Sequence, residues 1–272
     1  MENYNDDEII KRSKLIINDV QSFVNNSYSV YAKRFHFVNK HRWDIKQELI
    51  AKRAFWVGQI DSKTKKFSGV KKRYAQWIVD AEGHRVDKLD VKGLDVVRSN
   101  FPEKFREFMT ELLVDILHDK QKDELNEKVR NFKSKLDSFD VYDIMFPTGA
   151  KDVEKWQTDV IGQRKKGTPA HYKAALSYND MLKMLNINSM PPITNGDKII
   201  WTYMHPNKYG FESMALKGFE DPPEIIEFVN KYINKSENFE RVLKGKITNF
   251  WLSLGWGEIV MNALTNKFFK FN

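Results

Sequence analysis

The apolar residues of the chain change period along its length. Near the start, Ile16, Val20, Phe23 and Val24 stand at i, i+4, i+7 and i+8, which puts them on one stripe of a helix. Asp6 and Asp7 precede them, where anionic side chains suit a helix N-terminus. Over 35–57, Trp, Ile and Phe mix with basic residues, and the stretch reads as strand-rich. The span 59–69 is rich in Lys with Ser and Gly, and reads as a loop. Over 74–80 β-forming residues run up to the turn sequence Ala81-Glu82-Gly83, and 85–91 returns toward Lys92-Gly93, which predicts a hairpin.

Helical period then takes over. Ser99 and Asn100 precede Pro102, a helix start signal, and Phe105, Phe108, Met109, Leu112, Leu113 and Ile116 follow as one stripe. Leu125, Val129, Phe132 and Leu136 make a second stripe. Thr168-Pro169 opens a third helix, expected to reach about Leu185. Over 196–204 the phase of Ile199, Trp201 and Tyr203 reads as a strand. Asp221-Pro222-Pro223 opens a helix through Ile226, Val229 and Ile233, and a last one runs through Val242, Ile247 and Trp251. The pattern predicts an α+β fold, with β-strands first and a mostly helical part after a boundary near 93–100.

Composition supports a folded chain, since 41% of the 272 residues are hydrophobic and seven Trp and nineteen Phe need cover. Without Cys there is no disulfide and no thiolate metal site, which fits a reducing cytoplasm. No run approaches the ~20 apolar residues of a membrane span, and the acidic opening is unlike a signal peptide. The expected place is therefore the cytoplasm, that of a host if the protein is viral.

Charge is concentrated. From Lys33 to Arg73 there are thirteen Lys and Arg against Asp44, Glu48 and Asp61, a net +10. The whole chain carries +8, so the remainder is −2. A single basic region suits a polyanion, although a solvated basic face explains the charge equally well.

No complete active site is visible. There is no HExxH, and His36 and His41 stand five apart, off one helical face. Gly162 to Thr168 looks like a phosphate loop, but it lacks the Lys before Thr, and Pro169 removes a donor. No Gly-x-Ser-x-Gly elbow occurs. Asp87 with Asp90, and Glu220 with Asp221, read as surface charge. The informative motif is Lys71-Lys72-Arg73-Tyr74-Ala75 ahead of a strand. Cations meet phosphate oxygens and release counterions, and a Tyr hydroxyl bonds phosphate or sugar. Strand alternation would turn Lys72 and Tyr74 the same way.

Four blocks in order resemble family B DNA polymerases, most closely those of tailed bacteriophages. Lys71 to Ala75 is similar to the family's basic motif after the last catalytic palm motif. Lys88-Leu-Asp-Val-Lys-Gly93-Leu-Asp-Val-Val-Arg98-Ser99 is similar to the segment entering the thumb. Gly167-Thr-Pro169-Ala-His171-Tyr-Lys173 and the span to Asn179 resemble a thumb motif, and Gly196-Asp197-Lys198-Ile199 its following strand. The likeness covers roughly 43–256. It implies palm remnants in 1–95, a thumb in 96–260 and a tail in 261–272. By the same likeness Lys71, Lys72, Arg73 and Tyr74 would hold primer–template DNA, and Lys88, Lys92 and Arg98 would follow the duplex. His171 and Lys173 would lie on a thumb surface near DNA, with Arg164, Lys165 and Lys166 as electrostatic support. Glu48 matches a palm carboxylate near the metal site, or is a surface carboxylate in a basic segment. Phe268, Phe269 and Phe271 resemble a sliding-clamp peptide, although Lys267 replaces an expected leucine; a tail docked on its own domain is the other reading.

The family's two metal-binding aspartates belong to motifs that these residues lack, and two-metal nucleotidyl transfer needs them. The expectation is therefore a split-gene product, with artificial truncation as the other origin. It would bind no cofactor and would not polymerise alone, an N-terminal catalytic chain supplying the site for magnesium and dNTP. The alternative is a stand-alone, non-catalytic nucleic-acid-binding protein on a thumb-like scaffold.

Overall fold

The computed structural model describes residues 4–61, 63–218, 220–259 and 261. Its first helix, α1 (Asp6–His36), starts at a capping box. The Asn5 side chain accepts from the Glu8 amide at 2.9 Å, and the Glu8 carboxylate accepts from the Asn5 amide at 3.1 Å. Asp6, Asp7 and Glu8 in the first turn, and Lys33, Arg34 and His36 in the last, complement the helix dipole.

Three antiparallel strands follow in the order β1 (Leu49–Ile60), β2 (Phe67–Ala81), β3 (His84–Lys92). The predicted β2–β3 hairpin is present. Glu82 and Gly83 both take positive φ between the paired residues Ala81 and His84, the conformation that suits a two-residue hairpin loop. Two expectations need correction. Residues 37–48 form no strand, because the Asn25 side chain of α1 serves their backbone, accepting from the Ile45 amide at 2.9 Å. The lysine-rich loop is shorter than 59–69, because the strands extend to Ile60 and from Phe67, around a turn that Asp61 holds by accepting from the amides of Lys63 and Thr64.

The rest is mostly helical: α2 (Glu103–Leu117), α3 (Lys122–Ser134), α4 (Val141–Ile144), α5 (Val153–Trp156), α6 (Ala170–Met184), α7 (Pro223–Tyr232), α8 (Lys235–Asn238) and α9 (Lys244–Ser253). A second antiparallel sheet, β4 (Phe146–Gly149), β5 (Lys198–Tyr203), β6 (Ser213–Leu216), lies among them. β4 and β6 have four residues each, and all four of β6 are buried, so neither carries a readable alternation. The predicted stripe of α2 is buried at every position. In α7 the buried residues are Ile225, Phe228 and Val229; Ile226 is only half-buried, one position out of the expected phase. Asp221 is also not surface charge: it is buried and accepts from the amides of Lys217 at 2.9 Å and Gly218 at 2.8 Å.

The first sheet shares its core with the helices. Phe55 of β1 meets Phe250 of α9 edge-on, ring centroids 5.7 Å apart, and the Gly58 amide donates to Ser253 Oγ at 3.0 Å. Phe55, Val57, Ala75 and Leu94 belong to the same buried cluster as the α2 stripe.

In α1 the relation is reversed. Its side toward the rest of the chain is mixed: Ile10, Ile17, Val24 and Tyr28 are half-buried there, Gln21 and Asn25 bond the 44–45 segment and Lys14 reaches Asp80. Most of the predicted stripe faces outward, with Ile16 67% and Phe23 74% exposed; Val24 is half-buried, and Ala32 is the one buried residue of the helix.

Candidate nucleic-acid interface

The basic motif sits on a bulge. Trp56 pairs with Tyr74 and Gly58 with Gly69, so Val57 alone stands opposite the four residues 70–73. Within the bulge Lys72 has φ +62°, so simple strand alternation does not relate it to Tyr74, contrary to the sequence expectation. The conformation depends on Gly93, itself at φ +67°, because a Cβ there would stand 2.0 Å from the Lys72 carbonyl oxygen.

The three adjacent cations have different fates. Lys71 and Lys72 are exposed and form no ion pair among the described residues. Arg73 turns inward: it donates to Gln59 Oε1 at 2.8 Å and approaches Asp95 Oδ2 at 4.0 Å. Asp95 is buried and also binds Arg98 at 3.3 Å and Lys246 of α9 at 2.9 Å. One carboxylate thus gathers cations from β2, from the turn after β3 and from α9. The arrangement leaves net positive charge at the foot of the bulge, and the Arg73 Nε is buried without a hydrogen-bond partner among the described residues.

Tyr74 is half-buried and stands opposite Lys92, whose ammonium is 3.2 Å from Asp90; Lys88 is exposed on the same strand and forms no ion pair among the described residues. The structure therefore groups Lys71, Lys72, Arg73, Tyr74, Lys92 and Arg98 around the Gly93–Asp95 turn.

The second predicted group is separate, at α6 and the loop before it. Arg164 is half-buried, against Asp180 at 2.8 Å and Ser177 Oγ at 3.0 Å, an anchor for the loop. Lys165 donates to the Lys155 carbonyl at 2.6 Å, Lys166 is exposed, and Lys173 pairs with Glu212. His171 lies half-buried against Tyr172, ring centroids 4.1 Å apart, and burial pushes its pKa below the usual histidine value. A neutral imidazole is a poor phosphate ligand.

Glu48 is exposed, and its carbonyl accepts from the Glu82 amide at 2.8 Å. No group of three or more His, Cys, Asp or Glu among the described residues could hold a metal ion. The buried carboxylate nearby is Asp80, which accepts from the Gly83 amide at 3.0 Å and from Gln47. Sequence reasoning placed Asp80 at the turn without a role and gave none to Asp95 or Lys246. The first had a signal, an Asp three residues before a turn glycine. Phe268, Phe269 and Phe271 lie outside the described residues. No described helix is long and apolar enough to cross a membrane.

Compared with known proteins, the chain matches the family model of DNA polymerase family B over residues 69–251, well over half its length. The match contains the bulge, the Asp95 cluster and α6. No curated protein matches it.

Proposed function

The chain belongs to DNA polymerase family B, and from that premise we propose that it grips primer–template DNA as the end of the palm and the thumb of a split polymerase of the tailed-bacteriophage kind. The observation that carries this reading is the bulge, where two lysines without an ion pair among the described residues project from a backbone fixed by Gly93 and anchored beneath by Arg73 on Asp95. Phosphates of a duplex would meet Lys71 and Lys72, while Lys88, Lys92 and Arg98 extend the basic track. The palm portion is 1–95, the thumb 96–260, and the tail 261–272 is a clamp-binding peptide. Catalytic aspartates, and with them magnesium and dNTP, come from a second polypeptide in the same cytoplasm. Its docking face is the outward stripe of α1, since exposed Ile16, Val20 and Phe23 call for a covering surface.

Lys72→Ala tests the grip. Duplex affinity should fall for all sequences alike, and the salt slope should drop by roughly one phosphate contact. Fluorescence titration over a salt series measures both. Unchanged affinity and slope would make the bulge a solvated loop.

A second reading, a self-sufficient nucleic-acid-binding protein, is favoured by the core that the sheet and helices share. It keeps the Lys72 result and drops the partner.

A further inference from the structure

Beyond the duplex grip, the end of α1 and the segment after it concentrate two features that the proposed function does not use. The first is aromatic surface. Trp43 is the centre of a ring cluster, with centroids 6.1 Å from Tyr28, 6.1 Å from Tyr31, 5.7 Å from His36 and 5.6 Å from His41. The cluster is not a closed core: Tyr31 is 49%, Phe35 57% and Trp43 45% exposed. The second is uncompensated charge. Lys33, Arg34, Lys40, Arg42 and Lys46 form no ion pair among the described residues, unlike the cations around Asp95. The one acid among residues 33–46, Asp44, already accepts from Asn25 at 2.9 Å.

We propose that this aromatic and cationic face is a stacking site for single-stranded nucleic acid, separate from the bulge that meets duplex phosphates. Five cations without an ion pair among the described residues ask for a polyanion, and exposed rings among them, Phe35 already under the Arg34 guanidinium at 5.4 Å, ask for flat apolar surfaces. An unpaired strand supplies both, because each nucleotide offers a phosphate and a π-face. A duplex offers its phosphates but keeps its bases stacked inside. A protein surface would have to bring several carboxylates to the same place as its apolar groups. The ligand class follows from charge and rings alone and does not rest on the polymerase reading.

The test uses the full chain and three labelled probes: an oligothymidylate, an oligomer of the same length made of abasic sites, and a blunt duplex. Fluorescence anisotropy gives each affinity. The wild-type chain should prefer oligothymidylate to the abasic oligomer by roughly ten-fold or more, the size of a lost base–aromatic stack. Trp43→Ala should remove most of that preference while leaving duplex affinity unchanged, and Trp43→Phe should keep it. Arg42→Ala should lower the single-strand salt slope by about 0.7. Equal wild-type affinity for the two single-stranded oligomers overturns the proposal, and this comparison needs no variant to fold. It is also overturned if Tyr31→Ala and Trp43→Ala leave oligothymidylate binding intact while releasing a bound protein partner. Loss of duplex binding on Lys72→Ala is a separate readout, so the two sites fail or stand independently.

Discussion

Helices α1 and α2 carry the same kind of apolar stripe and treat it in opposite ways. In α2 the stripe is the inner wall of the core, with Phe105, Leu112 and Leu113 fully buried. In α1 Ile16, Val20 and Phe23 point away from the chain and Val24 is half-buried, while Gln21 and Asn25 share the inward side with Ile17, Tyr28 and Ala32. Burying a large apolar side chain is worth about 1.5–3 kcal/mol, so α2 realises a gain that α1 leaves unused. The lesson is that periodicity reveals a face, while its cover is decided by what else the chain brings near it. For α1 the proposed cover is another chain.

The largest test of the contrast is association. Ile16→Asp with Phe23→Asp should abolish co-purification with the proposed catalytic chain, while urea unfolding of the isolated protein stays within about 0.5 kcal/mol of wild type. Full retention of the partner would show that the stripe is merely solvated. Next in size is a paired truncation. Phe105→Ala in the core should cost about 3–5 kcal/mol by denaturant unfolding, whereas Phe23→Ala should cost under about 0.5 kcal/mol. Comparable costs would mean that α1 is covered within its own chain. The smallest effect concerns the helical part alone. Burial lowers the pKa of His171 in the folded state, so the unfolded chain binds the extra proton first, and stability falls as pH drops below about 6.5 toward the folded value. His171→Gln should flatten that acid limb in melting experiments, and an unaltered limb would show that His171 is not a source of the acid sensitivity.

Much of the fold was legible because its signals are local. The α2 stripe needed only helical spacing, and the β2–β3 hairpin only a turn sequence between two β-forming runs. The basic motif was visible as three consecutive cations, yet their division was not. Arg73 leaves the surface because Asp95 and Lys246 meet beneath it, and Lys72 takes a left-handed conformation because Gly93 packs on its carbonyl. Those partners are distant in sequence, and no spacing rule connects them. The phase of α7 and the short strands β4 and β6 were hidden for a related reason. A four-residue strand has too few positions to show a period, and tertiary packing chose Ile225 over Ile226.

The bond from the Gly58 amide to Ser253 spans 195 residues and sets a schedule for synthesis. At about 5–20 residues per second, α9 leaves the ribosome roughly 10–40 s after β1. Until then the side of β1 that Phe250 will cover has no cover. A strand made 195 residues earlier than its partner is therefore among the last to be secured, and its long-range closure makes folding slow relative to a chain of the same size with local contacts. For that interval a nascent chain exposes Phe55 to chaperones, proteases and other nascent copies, and arrival of α9 ends it.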